Sequence, residues 1–186
     1  MKRLAGVVLL VLLLCGCTIR HEQMDQVLAL RSKLLQSKGC AFEAIVTADY
    51  GNQIRQFTLA CQADEKGTVS FCVTAPESIT GITGRIDAEG GKLTFDDQVL
   101  VFPLLADGQL SPVSSPWVLV KTLRGGYISA CGTDGDYLLA TIDDSYADDA
   151  LQLDIWLNGE NIPVRADILW KNRKFLSMEV KRFRFL

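Results

Sequence analysis

The 186-residue sequence predicts a single α+β domain, a long curved antiparallel β-sheet with two helices packed on one of its faces. After residue 41 most segments alternate apolar and polar residues between turn signals, as strands with one buried face do. Two segments have helical periodicity instead, one before the strands and one among them. No linker divides the chain and no long period repeats, which favours one domain.

The first helical segment is EQMDQVLALRSKLLQSKG, residues 22–39. Its apolar residues at positions 24, 27, 28, 34 and 35 are expected on one helix face. Gly39 is expected to end this N-terminal helix as its C′ residue.

Six strands are predicted next. Three come from FEAIVTADYG, QIRQFTLACQ and TVSFCVTAP, with turns at 51–52 and 64–67, and three short ones from TGITGRIDAEGGKLTFDDQVLVFP, with turns at 89–91 and 96–97. The second helix, SSPWVLVKTLRGG, follows. Ser115 is expected to cap it, Pro116 to take its first position and Gly125 to close it. Because this covering helix is apolar nearly all round, we expect it to be buried.

Strands then resume and continue to the C-terminus. They are YISACG, YLLATID, LQLDIWLNGENIPVRADILW with a turn at 158–159, and FLSMEVKRFRF. The last three strands are predicted to form an antiparallel meander.

The N-terminus has the anatomy of a secretory signal peptide: Lys2 and Arg3 precede eleven apolar or Gly residues, 4–14. A membrane span needs about 20 such residues. The run ends at Leu14-Cys15-Gly16-Cys17, which resembles the bacterial lipobox. The resemblance implies that residues 1–16 are removed, that Cys17 receives the lipid, and that 17–23 tether the domain 24–186. We therefore expect the protein on the extracytoplasmic face of a cell membrane, or on the outer membrane where the host has one.

Removal of residues 1–16 changes the net charge from −3 to about −5, which disfavours nucleic acid as a partner. The charge is uneven: residues 134–154 contain seven Asp and no Lys or Arg, whereas 171–186 contain six basic residues and one Glu. Such runs are typical of solvated faces. The alternative is a basic C-terminal face that docks on a partner or on lipid headgroups.

Four cysteines follow the lipobox: Cys40, Cys61, Cys72 and Cys131. A two-residue turn at 66–67 would place Cys61 directly opposite Cys72 and permit a disulfide. A bulge at Gly67 would instead align the apolar residues of the two strands and separate the thiols. The sequence leaves both registers open.

The sequence argues against an enzyme. Its only histidine, His21, lies in the tether, which excludes Ser-His-Asp, Cys-His and the usual hydrolytic zinc sites in the domain. The acidic pairs 143–144 and 148–149 have adjacent residues, which point to opposite faces of a strand. We expect no catalytic residue, no metal and no cofactor. A calcium site in this acidic loop is the minor alternative.

Apolar side chains of the covering helix and of the last meander are the candidate ligand-binding residues. They are Trp117, Val120, Leu123, Ile155 and Trp170. Either they fill a core, or they line a partly open cavity that admits a lipid chain. Both interpretations require the same residues.

An N-terminal helix, a β-meander, PESITGITGRI opening the middle strands, a buried helix and a closing meander follow one another over residues 24–186. This order resembles the LolA/LolB lipoprotein-carrier superfamily, including germination lipoproteins of spore-forming Gram-positive bacteria. The resemblance implies an unclosed half-barrel whose concave apolar face receives acyl chains or a lipoprotein. The alternative function that it implies is a scaffold that tethers or activates a cell-envelope enzyme, such as a cell-wall amidase.

Overall fold

The computed structural model describes residues 22–49, 51, 53–96, 98–102, 105–106, 109–147 and 150–186. The predicted lipidation site Cys17, the signal peptide and residues 148–149 of the acidic loop lie outside these ranges.

Helix α1 occupies residues 22–36, so it begins inside the segment predicted as tether. Helix α2 is Ser115–Gly125. The strands are β1 (Gly39–Asp49), β2 (Ile54–Asp64), β3 (Val69–Ala75), β4 (Thr83–Asp87), β5 (Gly90–Phe95), β6 (Gln98–Phe102), β7 (Leu105–Ala106), β8 (Gln109–Leu110), β9 (Tyr127–Asp134), β10 (Tyr137–Asp143), β11 (Leu151–Leu157), β12 (Pro163–Trp170) and β13 (Arg173–Phe185).

Eleven strands form one sheet in the order β6-β5-β4-β3-β2-β1-β13-β12-β11-β10-β9, and every neighbouring pair is antiparallel. The chain builds outward from β1 to β6, crosses by α2, and returns from β9 until β13 pairs with β1. Among the described strands β6 and β9 have a neighbour on one side only, so the sheet is unclosed and these strands are its edges. The predicted antiparallel sheet and closing meander are confirmed, whereas the small β7–β8 hairpin was not predicted.

One face of the sheet carries the core, and we call it the helix-covered face. Alternate residues of the central strand β1 point to it and are 0–4% exposed, namely Cys40, Phe42, Ala44, Val46 and Ala48. Buried side chains of both helices join the same apolar cluster. The opposite face, which we call the outer face, carries most of the charged residues of the strands.

Helix α1 buries a narrower stripe than the sequence predicted. Val27, Leu30 and Leu34 are 1–2% exposed, but Leu28 and Leu35 are 45% and 50% exposed. The apolar spacing was compatible with either set, and contact with the sheet selects the i, i+3, i+7 stripe.

The predicted end of α1 is also wrong. The helix stops at residue 36, and the Ser37 hydroxyl hydrogen-bonds to the Leu34 carbonyl oxygen at 2.9 Å. Gly39 is not the C′ residue: it begins β1 with a φ of +137°. The glycine is required by the strand entry, not by the helix end.

Helix α2 is buried nearly all round, as predicted, but its cap differs. Ser114 occupies the cap position without a side-chain hydrogen bond, and Ser115 is the first helical residue. The Ser115 hydroxyl donates to the Pro112 carbonyl oxygen at 2.7 Å, because a short 3-10 turn immediately precedes the helix.

The β2–β3 hairpin adopts the bulged register. Cys61 lies opposite Phe71 and Cys72 opposite Ala60, so the two thiols point to opposite faces and do not form a disulfide. Gly67 has a φ of +86°, which glycine adopts without strain. The alternative with aligned apolar residues is thus the one observed.

Candidate functional site

Helix α2 crosses the helix-covered face and is held at two separated points by charged side chains. Lys121 Nζ lies 3.0 Å from Asp144 Oδ2 beyond the end of β10. Arg124 donates to the Glu65 carbonyl oxygen at 2.7 Å, in the loop between β2 and β3. The two ties are one helical turn apart. The buried apolar residues Trp117, Val118, Leu119 and Val120 precede them, and Leu123 lies between them.

A third tie comes from α1. Arg31 donates from Nε to the Leu123 carbonyl oxygen at 2.7 Å and from Nη2 to the Gly126 carbonyl oxygen at 2.8 Å. These carbonyls end α2, where backbone oxygens lack helical partners and the helix dipole favours a cation. Burial lowers the pKa of Arg31 through desolvation, and the guanidinium remains charged. Arg31 therefore fixes the two helices to each other.

We expect Arg31→Ala to lower the free energy of unfolding by about 2–3 kcal/mol, because two hydrogen bonds from a charged donor are lost. Urea unfolding followed by circular dichroism measures this change. Gln36→Ala on the same helix removes only an exposed contact with Ser32 and should stay within about 0.5 kcal/mol of wild type. Equal effects of the two substitutions would contradict the role of Arg31.

The structure brings together four of the five predicted ligand-binding residues. Trp117, Val120, Leu123 and Ile155 are 0–7% exposed and belong to one cluster between α2 and the sheet. Trp170 does not join them: it is half-buried at the end of β12, with Lys171 Nζ 4.5 Å from its ring centroid. The predicted site therefore reduces to the contact between α2 and the sheet. Its ligand-binding role remains a prediction.

The sequence reasoning missed the polar residues that hold this cover. Arg31 lies between Leu30 and Leu34 in the buried stripe of α1, and a charged residue at that position was a readable signal. The partners of Arg31, Lys121 and Arg124 are all distant in sequence, so no local pattern indicated which groups these residues contact.

The acidic loop is structural where the structure describes it. Asp144 accepts hydrogen bonds from Lys121 and, at 2.8 Å, from the Leu151 backbone amide, which closes the β10–β11 connection. No group of three or more metal-ligating side chains occurs among the residues described. Within the same ranges, no helix is long and apolar enough to cross a membrane.

The basic C-terminal run divides into two groups along β13. Lys174 and Arg165 flank the buried carboxylate of Asp167 at 3.1 and 2.7 Å. Arg182 and Arg184, farther along β13, line a separate groove. The register of β12, β13 and β1 places Asp167 and Arg184 on the same outer face. The run therefore splits into a structural ion-pair group and a second, separate group.

Two buried thiols, Cys40 and Cys61, lie on the helix-covered face. Desolvation raises the pKa of Cys40 to about 12, against a smaller opposing effect of Arg124. Desolvation, and secondarily the neighbouring Cys40, also raises the pKa of Cys61. Both thiols are therefore neutral at physiological pH and unsuited to nucleophilic chemistry.

The raised pKa values of these thiols predict that the folded protein loses stability at alkaline pH. The unfolded thiol ionises near pH 9.0 and folded Cys40 near pH 12, so their stabilisation is complete below pH 9 and is lost as pH rises toward 12. We expect Cys40→Ala to reduce the slope of unfolding free energy against pH in this window by about 1.4 kcal/mol per pH unit. Urea titrations at successive pH values measure it, and parallel slopes for variant and wild type would contradict the burial of this thiol.

No family model matches the chain, and no curated protein matches it. Several solved structures are similar to it. A LolA superfamily protein from Nitrosomonas europaea has 9% identity and a TM-score of 0.44, covering 86% of this chain and 93% of that one. A putative outer membrane lipoprotein-sorting protein domain from Vibrio parahaemolyticus has 10% identity and a TM-score of 0.47, covering 86% and 91%. Lipoprotein LppX from Mycobacterium tuberculosis has 12% identity and a TM-score of 0.42, covering 87% and 93%.

These likenesses concern fold alone. The chain itself has the arrangement that the order of elements predicted, an unclosed antiparallel sheet, here of eleven described strands, with two helices on one face. Function is argued from the residues.

Proposed function

We propose that this protein is a membrane-anchored, non-enzymatic lipoprotein that binds an acyl chain, free or carried by another lipoprotein, between α2 and the helix-covered face. The observation that carries the proposal is the attachment of α2. Its polar ties lie at Arg31, Lys121 and Arg124, while its underside and the sheet below it are apolar. A helix attached in this way can act as a cover.

The energetics permit such a cover to move. An exposed ion pair such as that of Lys121 contributes about 0–1 kcal/mol, and the hydrogen bonds of Arg31 and Arg124 contribute a few kcal/mol more. A buried acyl chain gains about 0.8 kcal/mol per methylene, or roughly 8 kcal/mol for ten. The apolar contacts that α2 loses with the sheet are replaced by its contacts with the acyl chain. Acyl binding therefore offsets the loss of the ties.

Native mass spectrometry of the full chain, extracted from its own membranes in mild detergent, tests the proposal. We expect a non-covalent mass of acyl-lipid size that dissociates on collisional activation. Val120→Trp adds an indole beneath α2 and should abolish this mass. Leu28→Trp adds the same indole to an exposed position and should leave it unchanged. A wild-type chain that retains no lipid would overturn the acyl-binding function.

The membrane anchor is tested separately at Cys17. The proposal expects the mature chain to begin at this residue and to carry added acyl mass, and Cys17→Ser to remove that mass. Intact-mass spectrometry of the membrane fraction measures both. An unmodified wild-type chain would remove the anchor while leaving the acyl-binding test unaffected.

A second candidate function is a scaffold for a cell-envelope enzyme, and the edge strand β6 is the observation that favours it. Val99, Leu100 and Val101 are 61–67% exposed, on a strand that ends the sheet as far as the structure describes it. Such an edge can receive a strand from another protein. Affinity capture with the wild-type chain, but not with Leu100→Lys, of a cell-wall hydrolase identified by mass spectrometry would support this function. Capture that is unaffected by Leu100→Lys would exclude this edge.

A further inference from the structure

An open groove of about 740 Å³ lies on the outer face and crosses β13, β1, β2, β3, β4 and β5. Small side chains, including Ala41, Ala60 and Cys72, lie along it, so the floor of the groove is close to the backbone of the sheet. It is on the opposite face of the sheet from α2, and none of Trp117, Val120, Leu123 and Ile155 lines it.

The charge of the groove is strongly positive. Its lining contains one carboxylate, Glu43, and four cationic side chains, which are Arg85, Lys92, Arg182 and Arg184. Arg182 pairs with Glu43 at 3.3 Å, and Arg85 lies 3.8 Å from Asp64. Within the described part of the chain, Lys92 and Arg184 have no ion-pair partner. Two cations thus remain uncompensated in a protein whose overall charge is negative.

A β-bulge in β13 builds one side of this groove. The register changes from Ala41 opposite Arg184 to Glu43 opposite Lys181, so β13 has one extra residue here. The extra residue directs Phe183 to the helix-covered face, where it stacks on Phe42 at 5.8 Å, and leaves Arg184 on the outer face.

The bulge also holds Arg182 in a left-handed conformation. Its φ is +54°, which costs a non-glycine residue about 1 kcal/mol and costs glycine almost nothing. Packing of the bulge requires only the backbone turn, which glycine would provide without strain. The guanidinium, which is 81% exposed, is therefore retained at a small cost in stability.

We propose that this outer groove binds a polyol phosphate, the glycerophosphate chemistry shared by phospholipid headgroups and free glycerol phosphates. Guanidinium groups hold phosphate oxygens through paired hydrogen bonds. Gln62, Ser70 and Thr94 lie in the same groove and offer amide and hydroxyl groups to a polyol. The volume lies within the range of small-molecule sites and exceeds the needs of a bare phosphate. This inference goes beyond acyl binding and does not depend on it.

Isothermal titration of the full chain in a non-ionic detergent tests the site with water-soluble probes that lack acyl chains. The probes are glycerol 3-phosphate, glycerophosphoglycerol and inorganic phosphate. We expect both glycerol compounds to bind at least ten-fold more tightly than inorganic phosphate. Tighter binding of the diester assigns the site to lipid headgroups, and tighter binding of the monoester assigns it to free glycerol phosphates. Equal affinity for all three probes would overturn the proposal.

Matched variants distinguish binding in the groove from a non-specific effect of the protein's positive charges. Lys92→Ala combined with Arg184→Ala breaks no ion pair and should weaken binding at least ten-fold. Arg182→Gly removes a cation while relieving the backbone, so it should weaken binding without lowering the unfolding midpoint. Arg55→Ala removes one charge elsewhere on β2 and should change nothing. An equal loss of affinity in Arg55→Ala, or no loss in the double variant, would overturn the site.

Discussion

Gly39→Ala is expected to prevent stable folding, with a loss of about 4 kcal/mol or more in the free energy of unfolding. A Cβ atom at this position would lie 2.0 Å from the Ala63 carbonyl oxygen, which belongs to the backbone of the paired strand β2. The φ of +137° adds a strain of about 1–3 kcal/mol for a residue with a side chain. Since small domains have only about 5–15 kcal/mol of total stability, this single methyl group removes a large part of it.

The measurement is urea unfolding, or the soluble yield where the variant does not accumulate. Gly135→Ala is the matched control, because Gly135 has a φ of +59° but no atom within 4 Å of its Cβ position. It should lose only about 1–2 kcal/mol from backbone strain. Equal stability of the two variants would contradict the predicted collision between a Cβ atom at position 39 and the backbone of β2.

The local elements of this fold were predictable because their signals are local. Alternation located every strand of the large sheet, and the Ser-Pro start of α2 with its apolar surface located a buried helix. Prediction failed where two alternative sets of buried residues fit the sequence equally well. Leu28 and Leu35 are as compatible with a helical stripe as Leu30, and only contact with the sheet decides between them.

The candidate sites were less predictable, because they are assembled from residues far apart in the chain. Arg31 meets the end of α2 more than ninety residues away, a contact that no local pattern encodes. The outer groove brings β13 beside β1, and the bulge that orients Arg182 and Arg184 appears only in the register of that pair. A basic C-terminal run was visible in the sequence, but its division into two groups was not.

Leu119→Ala is expected to destabilise the domain by about 3 kcal/mol and to increase the amount of acyl lipid that co-purifies with it. Leu119 is fully buried in α2, so its truncation loses transfer free energy and leaves a cavity in the apolar cluster that α2 shares with the sheet. Apolar cavities of this kind stay dry and accept apolar guests. If an acyl chain enters beneath α2, the added space and the weakened cover both favour it.

Native mass spectrometry gives the lipid occupancy, and urea unfolding gives the stability, so the two effects are measured independently. Leu35→Ala is the matched control, since the same truncation at a residue that is 50% exposed should change stability by less than about 1 kcal/mol and leave occupancy unchanged. A destabilised Leu119→Ala protein with wild-type or lower occupancy would place any bound lipid elsewhere. Because a filled core and a ligand site contain the same side chains, opposite shifts of stability and occupancy in one variant are what distinguish them.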